Sequence, residues 1–256
     1  MQDSVYNGVF GALTQMYRLD IIANNLANIN TIGYKKDKVA FEDVLTHYAH
    51  DFLDPNLGIK GGVRWPERDL LVQPRIGEKA IDFSQGPLRQ TGNPLDLAIG
   101  GKGFFKLKTP KGIFYTRAGN FTLDQRGYVI DPHGYKLMGK QGPIQITKTG
   151  KIDITSDGSV FIGKDKIATL DIVDVSNSSS LKKIGGNLFK LQGNATEIPQ
   201  EKPKIYQGYL ESSNVQVVKE MINMIDTLRI FQALQKCMTS TNNEDINLIN
   251  KVGNPT

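Results

Sequence analysis

The sequence contains few of the residue types that build catalytic and metal sites. It has one cysteine, three histidines and one tryptophan among 256 residues. A single cysteine, Cys237, excludes a disulfide within the chain and a zinc site built on cysteines. So few histidines provide no Ser-His-Asp or Cys-His set for nucleophilic catalysis. We therefore predict no enzymatic activity, metal or cofactor, and we interpret Cys237 as a small buried hydrophobic residue.

Long apolar runs and secretion signals are also missing. No run of about 18 apolar residues occurs, so the sequence predicts no membrane insertion. The first residues are amphipathic and include Asp3 and Asp20, so we expect no cleaved signal. The net charge of +5 comes from the middle of the chain, residues 63–213, where lysines are interspersed with acidic residues. This distribution is typical of a solvated surface, and we predict no nucleic-acid partner.

Both ends of the chain carry apolar residues at alternating spacings of three and four, which is the seam of a coiled coil. The first seam, in a helix predicted over about residues 3–28, consists of Val5, Val9, Ala12, Met16, Leu19, Ala23 and Leu26. The second, in a helix predicted over about residues 214–238, consists of Val217, Met221, Met224, Leu228, Phe231 and Met238. Each is marginal alone in water. We expect the two ends to pack on each other or on the same ends of neighbouring copies.

Polar segments mark where these helices should stop. The asparagine-rich run at residues 24–30 favours turn conformations, so the first helix should end there, with Gly33 as its stop. Residues 239–245 are rich in threonine and asparagine. We predict that they interrupt the second helix before a short last amphipathic piece.

The middle of the chain predicts β structure. Residues 104–108 and 113–117 alternate in polarity around a Pro-Lys-Gly turn, and residues 151–155 and 159–162 flank an Asp-Gly turn. Strands at intervals of about eight to twelve residues indicate an antiparallel, barrel-like or sandwich-like domain. The predicted fold is α+β and multidomain: residues 1–40 with 214–256 form a helical coiled-coil domain, 41–75 a linker or short helix, and 76–213 an all-β domain.

Four segments carry a resemblance to a known family. They are IANNLANINTIGYK at residues 22–35, GNPLDLAIGGKGFF at 92–105, YTRAGNFTLD at 115–124 and GYLESSNVQVVKEMINMI at 208–225. In this order they resemble the motifs of the bacterial flagellar rod and hook proteins, and the chain length is similar to that of a rod protein. Residues 34–38, 142–144 and 181–189 look more like the proximal-rod member with a β domain than the distal-rod protein.

The resemblance implies a structural, non-enzymatic subunit of the flagellar basal body. Such subunits leave the cytoplasm through the flagellar type III export gate without signal cleavage. They assemble in the periplasm with copies of themselves and with other proximal and distal rod subunits. The resulting tube transmits torque from motor to hook, with the terminal helices as its inner layer.

The same resemblance suggests which residues take part. The assembly interface would consist of the seam residues from Val5 to Phe231, without Met238, together with Asn24, Asn25 and Asn28, whose side chains can bond backbone groups in a packed helical tube. Phe41 and Leu45 match the aromatic-x-x-x-hydrophobic pattern presented to the export gate. A core pair one helical turn apart is an equally good interpretation of these two residues.

Other features are interpreted without function. Lys102 sits among glycines but lacks the spacing of a phosphate loop, so a turn is the better interpretation. His47 and His50 lie three residues apart with Asp51 beside them, yet no convincing fourth metal ligand accompanies them. The alternative function is a secreted glycan-binding or enzymatic β-domain module with a coiled-coil oligomerisation stem. It predicts a concave pocket with convergent polar groups in the middle of the chain.

Overall fold

The computed structural model describes residues 2–39, 79–147, 150–193, 195–200 and 203–253. The described residues form two α-helices, α1 (Gln2–Ala27) and α2 (Val217–Gly253). Their strands are β1 (Asp37–Val39), β2 (Lys79–Ile81), β3 (Leu88–Gln90), β4 (Leu97–Gly100), β5 (Phe104–Thr109), β6 (Gly112–Thr116), β7 (Thr122–Leu123), β8 (Val129–Ile130), β9 (Lys136–Gly139), β10 (Gly142–Pro143), β11 (Ile152–Ile154), β12 (Ser159–Ile162), β13 (Asp165–Thr169), β14 (Ile172–Val175), β15 (Leu181–Gly185), β16 (Leu188–Leu191), β17 (Glu197–Pro199), β18 (Lys204–Gln207) and β19 (Tyr209–Glu211). The predicted mostly-β middle between two terminal helices is confirmed.

The chain divides into two compact units. The helical unit comprises the described parts of Met1–Leu26, Asp37–Ala80 and Val217–Thr256. The β unit comprises those of Ala27–Lys36 and Ile81–Gln216. The predicted linker at residues 41–75 lies outside the described residues. Among the described residues, neither helix is long and apolar enough to cross a membrane.

α1 ends where its sequence predicts. The helix stops at Ala27 and gives way to turns through the asparagine-rich run. Gly33 then adopts a φ of 67°, a left-handed conformation that glycine reaches without a Cβ clash. The helix boundary is therefore a local property of this segment.

α2 is one continuous helix to Gly253, and the predicted break at residues 239–245 is wrong. The hydroxyl of Thr239 donates to the carbonyl of Lys236 at 2.9 Å, and that of Thr241 donates to the carbonyl of Cys237 at 3.0 Å. These polar side chains are satisfied by their own helix, and threonine or asparagine costs only about 0.5 kcal/mol relative to alanine in a helix. The break was predicted from polarity, which this helix tolerates on its solvent side.

Cys237 is exposed on α2, so its interpretation as a buried residue is wrong. The next residue, Met238, is the one that lies against α1. Adjacent residues on a helix point about 100° apart, which turns Cys237 away from that contact.

The largest sheet is open, and the barrel form of the prediction is wrong. Its main path runs β15-β16-β6-β5-β9-β8-β7, with β10, β14 and β17 branching from it. One edge of β5 pairs with β6, whereas the other is shared: β14 pairs at Phe104 and Phe105 and β9 at Leu107 and Lys108. Because the sheet forks at β5, it does not close on itself.

The two faces of β5 serve two apolar clusters. Phe105 and Leu107 are fully buried in the larger one, which also includes Phe114, Phe121 and Leu137. Phe104 points to the other face, where its ring packs edge-on against Phe83 and Phe189 with centroids 5.5 and 5.9 Å apart. This alternation is the two-residue period that predicted the strand.

Smaller sheets complete the β unit. The predicted hairpin around the Asp-Gly turn is confirmed as β11 and β12, with β13 as a third strand. Lys102 lies in a turn where Gly101 and Gly103 have φ of 86° and 120°. β4 pairs with β18, and β3 pairs with β19, the strand that precedes α2. This last pair carries the chain toward the start of α2.

Candidate assembly interface

α1 and α2 approach each other closely at two glycines. A Cβ atom added to Gly8 would lie 2.9 Å from Cγ of Met238, and one added to Gly11 would lie 3.3 Å from Cδ1 of Leu234. As the position advances along α1, its contact moves back along α2, so the helices run antiparallel here. The missing side chains of the two glycines are what allow this approach.

One side of each helix is buried. On α1 that side includes Thr14, Ile21 and Ile22. On α2 it includes Glu220 and Thr227, and the Thr227 hydroxyl donates to the carbonyl of Asn223 at 2.6 Å. The buried side of α2 therefore contains polar groups, and many of the large apolar side chains of α2 lie on its other sides.

A different side of each helix exposes large apolar residues. We refer to Val9, Leu13 and Met16 as the α1 stripe; the exposed fractions of their side chains run from 40 to 49 %. We refer to Val218, Met221, Ile222 and Ile225 as the α2 stripe; the exposed fractions of their side chains run from 49 to 72 %. Contiguous exposed apolar surface of this kind marks interaction sites. Among the described residues, the stripes are the surface best suited to bind another protein.

The predicted seam residues are divided between the buried and exposed sides. The exposed ones are Val9, Met16, Ala23, Val217, Met221 and Leu228. The partly buried ones are Leu19, Leu26, Met224, Phe231 and Met238, and Ala12 is buried. The side chain of Val5 lies outside those that the structure describes. Much of the seam is thus uncovered in the single subunit.

The asparagines at the end of α1 differ in environment. Asn25 is buried: its amide donates to the carbonyl of Asp37 and its oxygen accepts from the Asp37 amide, both at 2.9 Å. The Asn28 oxygen accepts from the Thr31 hydroxyl at 3.2 Å. Asn24 is exposed. In the structure, Asn25 thus connects α1 to β1 through hydrogen bonds within the subunit.

A buried ion cluster lies in the β unit, where the chain has left α1 and before it enters α2. Glu211 Oε1 accepts from Lys35 Nζ at 2.6 Å, and Oε2 accepts from Arg117 at 3.3 Å. The side chains of Lys35, Arg117 and Glu211 are 1, 3 and 1 % exposed. We name these three residues the Glu211 cluster. It places two cations against one carboxylate in the protein interior.

Burial acts on the two cations of this cluster. It lowers the pKa of Lys35, and the neighbouring Glu211 carboxylate offsets only part of that effect. Burial lowers the pKa of Arg117 in the same way. Both directions follow from the cost of keeping a charge out of water. The carboxylate is therefore what makes the two buried charges tolerable.

The backbone packs tightly around the cluster. Gly33 donates its amide to the carbonyl of Glu211 at 2.7 Å, and a Cβ there would lie 2.4 Å from the amide nitrogen of Ala118. A Cβ on Gly86 would lie 2.0 Å from the carbonyl oxygen of Ser212. Only glycine fits such approaches, so four distant chain segments, around residues 33, 86, 118 and 212, meet here backbone to backbone.

Sequence reasoning missed the Glu211 cluster. Lys35 and Glu211 are 176 residues apart, so no spacing rule connects them. The one available signal was that all three members fall within the quoted family motifs. A charged residue inside such a motif could have suggested a buried ion pair, but the sequence did not identify its partner in that pair.

The β unit also has a cleft of about 420 Å³ lined in part by Asn28, Asn120, Asp131, His133 and Asn187. The Asp131 carboxylate accepts the backbone amides of its own loop, from His133 at 3.0 Å and Tyr135 at 2.7 Å. The Asn187 amide donates to the carbonyl of Ile32 at 2.8 Å. These polar groups are engaged within the subunit, and their arrangement does not point to a ligand.

Comparison with known proteins connects these features. A family model described as flagella basal body rod protein matches residues 6–35. A flagellar hook protein FlgE/F/G D1 domain model matches residues 98–162, and a flagellar basal body rod FlgEFG protein C-terminal model matches residues 206–245. The three members of the Glu211 cluster fall one in each matched segment.

Whole-chain relatives decide the family. The flagellar basal-body rod protein FlgG of Bacillus subtilis is 34 % identical over 255 residues, covering 94 % of this chain and 96 % of the relative. The chain belongs to the flagellar basal-body rod protein family. FlgF of Caulobacter vibrioides is 32 % identical over 94 % of each chain, and FlgG of Borreliella burgdorferi is 29 % identical over 95 % of this chain and 96 % of its own. Relatives of both names match, so the choice of the proximal-rod member stays a prediction.

Two predictions lie outside the described residues. These are the export-gate pattern Phe41 and Leu45 and the histidine pair His47 and His50. Within the parts of the chain that the structure describes, no three His, Cys, Asp or Glu side chains are grouped in a way that could hold a metal ion.

Proposed function

We propose that this protein is a structural subunit of the flagellar rod that polymerises through its terminal helices into the shaft transmitting torque from motor to hook. The observation that carries the proposal is the pair of exposed stripes on α1 and α2. Apolar surface in water is unfavourable by about 25 cal/mol per Å². The same helices of neighbouring copies supply apolar surface that can cover it.

The proposal assigns two kinds of contact to each helix. The glycine side of α1 packs against Leu234 and Met238 of the same chain. The stripes pack on neighbouring subunits, where the predicted seams pair as coiled coils and Asn24 can bond a neighbour's backbone. Residues 1–40 with 214–256 form the assembling layer, 41–75 the connection and 76–213 the outer β domain.

The neighbours are copies of this chain and the other proximal and distal rod subunits. Of the two names among the relatives, we propose the proximal-rod member, on the likeness of residues 34–38, 142–144 and 181–189. Export is proposed to run through the flagellar type III gate into the periplasm without signal cleavage, with Phe41 and Leu45 as the gate motif. Membership in the rod protein family supports the rod subunits as neighbours, whereas the choice of the proximal-rod member rests on that likeness alone.

The test is a charge placed in the α2 stripe. Ile225→Asp should abolish rod assembly, because an aspartate cannot be buried between apolar helices. Ile113→Asp is the matched control, since Ile113 is also an exposed isoleucine, on β6 of the β unit. Each variant replaces the native protein in its bacterium, with basal bodies examined by electron microscopy and swimming measured in soft agar.

The outcomes separate the proposal from its rival. We expect Ile225→Asp to stop rod formation while the purified protein keeps the thermal unfolding of its β unit, and Ile113→Asp to swim normally. Normal rods with Ile225→Asp would contradict the proposal. The stalked glycan-binding module would gain support if that variant failed to assemble yet purified protein bound polysaccharide.

A further inference from the structure

Every acceptor of Glu211 is used to join distant parts of the chain. Its backbone carbonyl accepts from Gly33 at 2.7 Å. Its Oε1 accepts from Lys35 at 2.6 Å and from the amide of Gly86 at 2.9 Å, and its Oε2 accepts from Arg117 at 3.3 Å. One residue thus ties together the segment after α1, the segment before β3, the end of β6 and the segment before α2.

A second side chain repeats the connection. The oxygen of Asn214 accepts the amide of Lys36 at 2.8 Å, and its NH₂ donates to the carbonyls of Asp82 at 2.8 Å and Ser84 at 3.1 Å. The Lys35 ammonium also donates to the carbonyl of Ser84 at 2.7 Å. Three of these four segments, those after α1, before β3 and before α2, are therefore joined twice, once by charge and once by a carboxamide.

The charge balance makes Glu211 the critical member. Lys35 and Arg117 both face its carboxylate, and the charges of Asp82 and Asp174 act on them more weakly. Loss of the Glu211 charge would leave two cations buried side by side, which is far costlier than loss of one partner of an exposed pair. Loss of Lys35 would leave Arg117 and Glu211 as a balanced pair.

We propose that Glu211 is a positioning residue that fastens the chain leaving α1 to the chain entering α2, and so sets the spacing at which the two stripes are offered to neighbours. α1 ends at Ala27, shortly before Lys35, and α2 begins at Val217, shortly after Glu211. This inference rests on the proposed function, since the spacing of the two stripes has the proposed consequence only if they bind neighbouring subunits.

The experiment is hydrogen exchange of the full-length monomer, read by mass spectrometry, for Glu211→Gln and a matched control. The control is Glu197→Gln, which removes a carboxylate from a more exposed cluster with Lys106, 2.6 Å away, in the same unit. We expect Glu211→Gln to raise exchange at least tenfold in residues 31–36, 84–87 and 211–216. Strands β5 and β6 should exchange as in the parent, and Glu197→Gln should leave the three segments unchanged.

Two results would overturn the inference. In one, the three segments exchange as in the parent; in the other, the whole β unit loses protection together, which is a stability effect and not positioning. If Glu211→Gln does not fold, Lys35→Met takes its place, because it keeps the charges balanced. It should release residues 31–36 in a folded unit, and parent-like exchange or failure to fold would equally overturn the inference.

Failure of this inference is distinguishable from failure of the proposed function. The exchange measurement uses the monomer and does not depend on assembly, whereas Ile225→Asp tests assembly with the cluster intact. Glu211→Gln should also reduce rod formation although both stripes are unchanged. Normal assembly by a variant whose three segments are released would contradict the role in positioning while leaving the rod proposal in place.

Discussion

The β unit and the helical unit place their large apolar side chains differently. In the β unit Phe105 and Leu107 are fully buried between sheets contributed by the same chain. On α2, Val218 and Ile222 are more exposed than buried, while Thr227 is buried. A unit that completes its own core is stable alone, and one that leaves apolar surface in water requires a partner. Under the proposed function, the β unit supplies a self-contained core and the helical unit supplies the surface that binds neighbours.

The largest effect expected from this comparison is in the β core. Phe105→Ala should destabilise the β unit by about 3–5 kcal/mol, because it removes a buried ring and leaves a cavity. The ring packs edge-on against Phe121 with centroids 5.2 Å apart, so that contact is lost too. Urea unfolding followed by near-ultraviolet circular dichroism measures the change.

The matched helical variant is Ile225→Ala in the monomer. An exposed side chain contributes little, and we expect a change within about 0.5 kcal/mol. A cost similar to that of Phe105→Ala would break the comparison, because it would mean that the α2 stripe is already buried before assembly.

A smaller effect concerns the tight packing beside the Glu211 cluster. Gly33→Ala should cost roughly 2 kcal/mol or more, since a left-handed residue gains a Cβ and that Cβ meets backbone. Gly92 is the control, with φ of 76° and nothing within 4 Å of an added Cβ. Gly92→Ala should cost only about 1 kcal/mol. Equal costs in urea unfolding would show that the close approach to Ala118 carries no energy.

The local features of the fold are the ones that the sequence could predict. The end of α1 and the hairpins are local, and glycine, asparagine and period-two alternation predicted them. The fork at β5 was not predictable, because the partners of one edge come from β9 and β14, far apart in the chain. The Glu211 cluster was missed for the same reason.

The stripes were predicted only in part. Heptad spacing identified Val9, Met16 and Met221 but could not tell which side faces α2 of the same chain and which faces solvent. Apolar residues lie on adjacent positions of α2, such as Met221 with Ile222, so more than one seam fits the pattern. The glycines at 8 and 11 decide the matter, because helices approach where side chains are smallest.

The smallest expected effect is a local pH dependence in the β unit. Hydrogen bonds from the Thr155 and Ser159 hydroxyls lower the pKa of Asp157 from 3.8 to about 2. A lowered carboxyl pKa stabilises the fold fully above the unfolded value, and this contribution is lost as the pH falls through about 2. Asp157→Asn should therefore flatten the loss of stability between pH 4 and pH 2. A carboxyl titration by NMR with a midpoint near 3.8 would contradict this.

The measurement that tests the account most directly is hydrogen exchange of residues 217–230 in the monomer and in assembled rods. The account predicts faster exchange in the monomer than in the rod, where neighbouring subunits cover the α2 stripe, with β5 and β6 protected equally in both. Equal protection of residues 217–230 in the two states would contradict it, because the α2 stripe would then be buried without a neighbour.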